Sequence, residues 1–280
     1  MEHNQFRTWL KQLEIEHEEK WLEQYDSAFK GDEQAIVNIA LLYKDYGQYD
    51  EMYDLLYEAK ERQNSEAMYE LGNCYFVGLG EKGSEQQAFL LYKSAAQLGH
   101  RDAMNNLADM YLNGEGAEVD EQQALRWFKK AAQLGVAEAM FTLGMMYEQG
   151  LGTECDASQA FDYYTRSAEQ QDVEAMYRIG MIYFSGELGQ RQDNEKALEW
   201  FLKASEQFHA DATFNIGYCY EYGYGVTQNN EKAIHYYKKA SLLGDLEATK
   251  KVVSYYEMTD AAEASKWREK LIVLNNDIYE

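Results

Sequence analysis

The chain has 280 residues, 46% of them hydrophobic and 14% aromatic, which supplies a buried core and excludes a disordered chain. It contains no proline, and with 20 glycines as the chief interruptions to a helix-forming composition the expectation is an all-α protein. Against 49 Asp and Glu stand 26 Lys and Arg, and the formal net charge of −23 repels phosphate backbones and anionic membrane surfaces, so neither nucleic acid nor membrane is expected as a partner.

The opening stretch, "MEHNQFRTWLKQLEIEHEEKW", has no basic segment leading into an apolar one, and nowhere does an apolar run approach about 18 residues. A soluble cytoplasmic chain is expected, with residues 1–31 forming N-terminal capping helices near 5–30. A repeat then begins. Alanines open successive copies at Ala67, Ala103, Ala139, Ala175, Ala212 and Ala248, at intervals of 36, 36, 36, 37 and 36. Four residues after each alanine stand Leu71, Leu107, Leu143, Ile179, Ile216 and Val252; eight after it stand Tyr75, Tyr111, Tyr147, Tyr183, Tyr220 and Tyr256. Offsets of 0, +4 and +8 share one helical face. Glycine-rich turns follow, among them "GEGAEVD", "GLGTECD" and "GYGVTQN", and each opens a second helix such as "ALRWFKKAAQLG" or "ALEWFLKASEQF". Complete copies are expected at 66–101, 102–137, 138–173, 174–210 and 211–246. Segments 32–65 and 247–280 are atypical: Tyr43 to Met52 is 9 residues and Tyr256 to Ala264 is 8, against 13 or 14 in the internal copies. A helix over 265–280 is expected to cap the C-terminal end.

The pattern A-x-x-x-L-G-x-x-Y-x-x-G-x-G, a polar spacer, then A-x-x-W/Y-Y/F-x-K-A-A-x-x-G is carried by "AMYELGNCYFVGLG", "AMFTLGMMYEQGLG" and "ATFNIGYCYEYGYG". It resembles the Sel-one-like (SLR) repeats of the tetratricopeptide-repeat (TPR) superfamily, with 32–65 closer to a TPR-type hairpin. The resemblance implies a right-handed α/α solenoid whose first helices line a concave surface that binds proteins or peptides. Some members are secreted with paired cysteines in every copy and have been linked to penicillin binding; that cysteine framework is absent here, and the activity is not carried over.

No chemistry stands out. "GLGEKG" formally fits a phosphate-loop glycine pattern but follows a helix rather than a strand, and equivalent loops recur in five copies. His3, His17, His100, His209 and His235 lack metal-ligand spacing, and no metal or cofactor is expected. Cys74 and Cys219 fill the same slot of copies four apart, so all three cysteines are expected as reduced thiols. Catalytic residues are expected to be none.

The remaining feature is the first-helix face away from the core stripe, at offsets +2, +6 and +9. The +2 set reads Val37, Tyr69, Asn105, Phe141, Tyr177, Phe214 and Lys250; the +6 set reads Leu41, Asn73, Asp109, Met145, Met181, Tyr218 and Ser254. Three consecutive copies thus offer Phe141, Met145, Tyr177, Met181, Phe214 and Tyr218, with Glu148, Phe184 and Glu221 at +9 and Arg178 alongside. This strip reads either as a groove for a hydrophobic and basic protein or peptide segment, or as packing between adjacent first helices. The leading functional expectation is a non-catalytic protein-interaction scaffold or adaptor. The alternatives are a bacterial immunity protein neutralising a toxin, and a regulatory subunit or enzyme with an unrecognised site.

Overall fold

In the computed structural model residues 3–81 and 83–277 are described. Lys82 of the first glycine-rich loop, and residues 1–2 and 278–280 at the ends of the expected caps, lie outside the described residues. Among the described residues the chain is all α-helical, with no strand. It divides into two units, Met1–Val136 and Ala137–Glu280.

The first unit holds α1 (His3–Gln12), α2 (Glu18–Phe29), α3 (Glu33–Asp45), α4 (Tyr49–Glu61), α5 (Ser65–Val77), α6 (Glu85–Gln97), α7 (Arg101–Asn113) and α8 (Glu121–Gln133). The second holds α9 (Ala137–Gln149), α10 (Ala157–Glu169), α11 (Val173–Ser185), α12 (Asn194–Glu206), α13 (Ala210–Tyr222), α14 (Asn230–Leu242), α15 (Leu246–Glu257) and α16 (Ala261–Asp277). From α3 onward each odd-numbered helix pairs with the next as a hairpin, and within each unit successive hairpins pack side by side, the solenoid arrangement.

Short polar residues start the helices. Asp32, Asn64, Asp172 and Asp245 accept the N–H of Ala35, Ala67, Ala175 and Ala248, so the repeat's opening alanine is the third residue of its helix. In two copies a histidine takes this place: Nδ1 of His100 and of His209 accepts the N–H of Ala103 and Ala212. Each imidazole also stacks at 4.5 Å on a tyrosine, Tyr69 or Tyr177, of the preceding hairpin. Two of the five histidines thus cap a helix and tie it to its neighbour.

The hairpins close on one repeated contact. The glycine after the +4 aliphatic residue faces a second-helix ring: a Cβ on Gly72, Gly144, Gly180 or Gly217 would lie 2.6 to 2.7 Å from Tyr92, Tyr164, Phe201 or Tyr237. Those four rings are 1–3% exposed. Removing one hydrogen-for-methyl difference on the first helix thus admits a whole aromatic ring to the core.

A second close approach joins hairpin to hairpin. Gly116 and Gly225, both at φ +67°, are the later glycines of their turns. A Cβ there would lie 2.3 Å from the Glu85 carbonyl oxygen or 2.2 Å from that of Asn194, at the start of the preceding hairpin's second helix. Backbone meets backbone at that point, which accounts for the glycine-rich turn without any phosphate.

At the N-terminal end Phe6 and Leu10 of α1 are fully buried, and Phe6 stacks on Tyr25 of α2 at 4.3 Å. At the other end Trp267 of α16 packs against the cluster of Tyr237 and Val252.

Candidate partner-binding surface

All six residues of the strip, Phe141, Met145, Tyr177, Met181, Phe214 and Tyr218, lie in the second unit and are half-buried. Each +2 aromatic leans on the second-helix ring of its own hairpin: Phe141 on Tyr164 at 5.5 Å, Tyr177 on Phe201 at 6.1 Å, Phe214 on Tyr237 at 5.3 Å. Met181 Sδ accepts from Asn215 Nδ2 of the next first helix at 3.5 Å. The strip therefore has packing work on its inner side and an exposed outer side. Tyr177, sandwiched against Phe201 and His209, supports the fold as well as offering surface.

The charged residues beside the strip are engaged with each other. Glu148 accepts from Tyr164 Oη at 2.7 Å and is ion-paired with Arg178, which also reaches Glu187 at 2.8 Å. Burial alone would lower the Arg178 pKa, but hydrogen bonding and charge contact with Glu148, then with Glu187, raise it. Glu221 repeats the arrangement, accepting from Tyr237 Oη at 2.5 Å and from Lys251 Nζ at 2.8 and 3.0 Å. Burial works to raise the Glu221 carboxyl, and the Lys251 and Tyr237 hydrogen bonds more than offset it, so its pKa falls. In the first unit Lys44 and Glu70 make the same contact with signs exchanged, at 3.0 Å. In all three, offset +9 of one first helix meets offset +3 of the next. Arg178 and the two glutamates thus clamp adjacent hairpins, a role with no local sequence signal because the partners are separated by 30 residues.

Where the strip ends, the rings become most accessible. Phe184, Tyr218, Tyr222 and Tyr224 form one cluster: Tyr218 lies 4.6 Å from Tyr222 and 5.8 Å from Tyr224, and Phe184 lies 5.7 Å from Tyr224. Tyr222 and Tyr224 are 49% and 36% exposed. Neither stood in the sequence-derived strip, since one falls at offset +10 and the other in the turn.

In α7 of the first unit the same helical face is polar. Asp109, at offset +6 of α7, accepts a hydrogen bond from Asn105 Nδ2 at 3.1 Å. Burial first, and the nearby Glu115 carboxylate second, push the Asp109 carboxyl up to about 6, with Asn105 opposing. The folded chain then holds this proton more tightly than the unfolded chain, so the stability it contributes falls as pH rises from about 4 through about 6. Asp109→Asn is expected to stabilise the protein by about 2 kcal/mol near pH 7, with the gain vanishing near pH 4 where the aspartate is protonated. Urea unfolding at the two pH values measures this; an equal effect at both would sink the assignment.

Cys74 and Cys219 are buried and Cys155 exposed, all three as free thiols. Burial pushes the Cys219 thiol up to about 11 and raises Cys74, removing thiolate reactivity from both. Among the described residues no cluster of His, Cys, Asp or Glu is arranged to hold a metal ion, and no helix is long and apolar enough to cross a membrane.

The Sel1 repeat family matches this chain over residues 65–100, 101–136, 137–172, 173–207 and 210–245. No curated protein matches the sequence. Among solved structures it is similar to a protective antigen of uropathogenic Escherichia coli strains displaying an SLR fold, at 26% identity and a TM-score of 0.83. That alignment covers 91% of this chain but 56% of the antigen, so this chain spans little more than half of its length. A Sel1 repeat protein from Oxalobacter formigenes is similar at 29% identity with a TM-score of 0.76, covering 84% of this chain and 98% of that one. An immunity protein from Pseudomonas aeruginosa shares the fold at 22% identity and a TM-score of 0.50, covering 76% and 82%. With five matched repeats spanning more than half of its length, the chain belongs to the Sel1 repeat family and has an α/α solenoid fold.

Proposed function

We propose that this protein is a non-catalytic interaction scaffold that binds a segment of a protein partner along the strip Phe141, Met145, Tyr177, Met181, Phe214 and Tyr218, extended by Tyr222 and Tyr224. The observation that carries this reading is the ring cluster at Phe184, Tyr218, Tyr222 and Tyr224, four aromatic side chains gathered at the end of the strip with the outer two exposed. Large, rigid rings with accessible faces supply contact area at little entropic cost and dominate interface energetics. Because Glu148 is already paired with Arg178 and Glu221 with Lys251, these charges rim and stiffen the surface, and the apolar rings supply the affinity.

Tyr222→Ser/Tyr224→Ser removes the two exposed rings, with their peripheral contacts to Phe184 and Lys251, and leaves the buried contact of Gly217 with Tyr237 and the Glu221–Lys251 pair in place. The expected outcome is an unchanged melting temperature with partner affinity lowered by about 2 kcal/mol, roughly thirty-fold. Partners are identified by affinity capture from the native cell extract and their affinities then measured with purified proteins. An affinity unmoved by the double variant would transfer binding to another face.

The narrower reading, an immunity protein that masks a toxin, draws on the net charge of −23, which suits a basic partner. Capture of a basic toxin whose activity is restored by the double variant would favour it; a captured partner without toxicity would favour the adaptor.

A further inference from the structure

The first unit carries a cavity that sets two carboxylates among apolar walls, a chemistry the aromatic strip does not share. It has a volume of about 150 Å³ and is lined by Phe76, Tyr92, Asn106, Asp109, Met110 and Glu115. Elsewhere on this helical face a half-buried carboxylate meets a cation of the adjacent first helix: Lys44 with Glu70, Arg178 with Glu148, Lys251 with Glu221. Here the residues at the matching offsets are Phe76 and Asn106, and among the described residues neither Asp109 nor Glu115 is paired with a base.

Donors are short as well as cations. Asp109 receives one hydrogen bond, from Asn105 Nδ2. The Asn105 Oδ1 that this leaves behind is buried with no hydrogen-bond partner. The Tyr92 hydroxyl proton is committed elsewhere, donated to Asn73 Oδ1 at 2.8 Å. Two carboxylates therefore line one cavity with acceptor capacity that the described residues do not fill, next to an Asn105 amide oxygen that is unmet as well, and each such group is costly to leave unsatisfied.

We propose that the cavity at Asp109 is a receptor for the guanidinium group of an arginine side chain presented by a bound protein. A guanidinium brings one positive charge and five N–H donors in a plane, which matches paired carboxylates. Its flat faces suit the rings of Phe76, 44% exposed at the rim, and Tyr92, buried at the wall. The volume of about 150 Å³ admits one side-chain head. This site stands independently of the aromatic strip, and either can fail without the other.

The test titrates N-acetyl-L-arginine amide into the full chain, followed by calorimetry and by the side-chain amide resonances of Asn105 and Asn106. Saturable one-site binding is expected, half-saturated at about 1 mM, the strength open to a ligand of this size. Asp109→Asn is expected to weaken it at least tenfold, roughly, as a lost charge-assisted contact, while Glu169→Gln, the same charge change at an exposed position, leaves it unmoved. Near pH 6 binding releases a proton from Asp109, so the measured heat changes with the buffer, and near pH 8 it does not. Since Asp109→Asn is expected to be the more stable protein, lost binding cannot be ascribed to unfolding. Affinity equal in Asp109→Asn and wild type, or N-acetyl-L-lysine amide binding as tightly as the arginine probe, would overturn the proposal.

Discussion

Replacing Phe201 with alanine is expected to destabilise the unit Ala137–Glu280 by about 3–5 kcal/mol, the cost of deleting a fully enclosed aromatic ring. The ring is 1% exposed. It lies on Gly180, touches Tyr177 at 6.1 Å and Phe184 at 6.4 Å, and so holds the first helix of its hairpin and two residues of the candidate surface together. Relaxation into the void is limited because the helix backbone at Gly180 offers no side chain to fill it. Urea unfolding gives the total, and amide exchange in α11 and α12 shows where it is lost. The pair is also expected to be coupled: Gly180→Leu is unfavourable against the native ring and partly fills the space in Phe201→Ala, so the double-mutant cycle departs from additivity by about 1 kcal/mol or more. Additive effects would mean that glycine and ring do not share one space.

Gly225→Ala is expected to cost about 3 kcal/mol, from two sources that a control separates. The left-handed backbone at φ +67° penalises any side chain, and the added methyl would lie 2.2 Å from the Asn194 carbonyl oxygen and 2.7 Å from the Glu195 nitrogen. Those neighbours are backbone at the start of a helix and cannot swing aside. Gly244, at φ +98°, has nothing within 4 Å of the same methyl. Gly244→Ala therefore carries only the conformational part, about 1–2 kcal/mol. If the two variants lose equal stability, the hairpin-to-hairpin contact contributes nothing.

The helical repeat was legible because its determinants are local. Alanine, aliphatic residue and tyrosine at 0, +4 and +8 state a buried helical stripe, and the glycine at +5 recurs because a ring meets it at Gly72, Gly144, Gly180 and Gly217; in the remaining complete copy Ala108 takes the +5 place and is likewise fully buried. The strip Phe141 to Tyr218 was also readable as apolar residues at positions off that stripe, and its double duty of packing inward and facing outward is what a one-dimensional pattern leaves undivided. The clamps were not readable. Glu148 and Arg178 were seen as an acidic rim and a nearby base, yet their meeting depends on how one hairpin lies on the next. His100 and His209 escaped for a different reason: histidine is an uncommon helix cap, and its identity here rests on the N–H it accepts and the tyrosine beneath it. Asp109 looked like one acid among 49 until burial and the lack of a nearby base set it apart.

The clamps between offset +9 and offset +3 also act as an address system for the order of the hairpins. The α9 hairpin presents an acid that asks for a base, and only a successor beginning like α11 supplies one; α5 and α11 end instead with Phe76 and Phe184 and are followed by Asn106 and Asn215. A shuffled chain in which the α11 hairpin followed α5 would lay the guanidinium of Arg178 against a phenyl ring and leave Glu148 unmatched. Although the repeats look interchangeable in their core residues, they are not interchangeable parts, and genetic duplication or recombination within the array has to preserve neighbours as well as modules.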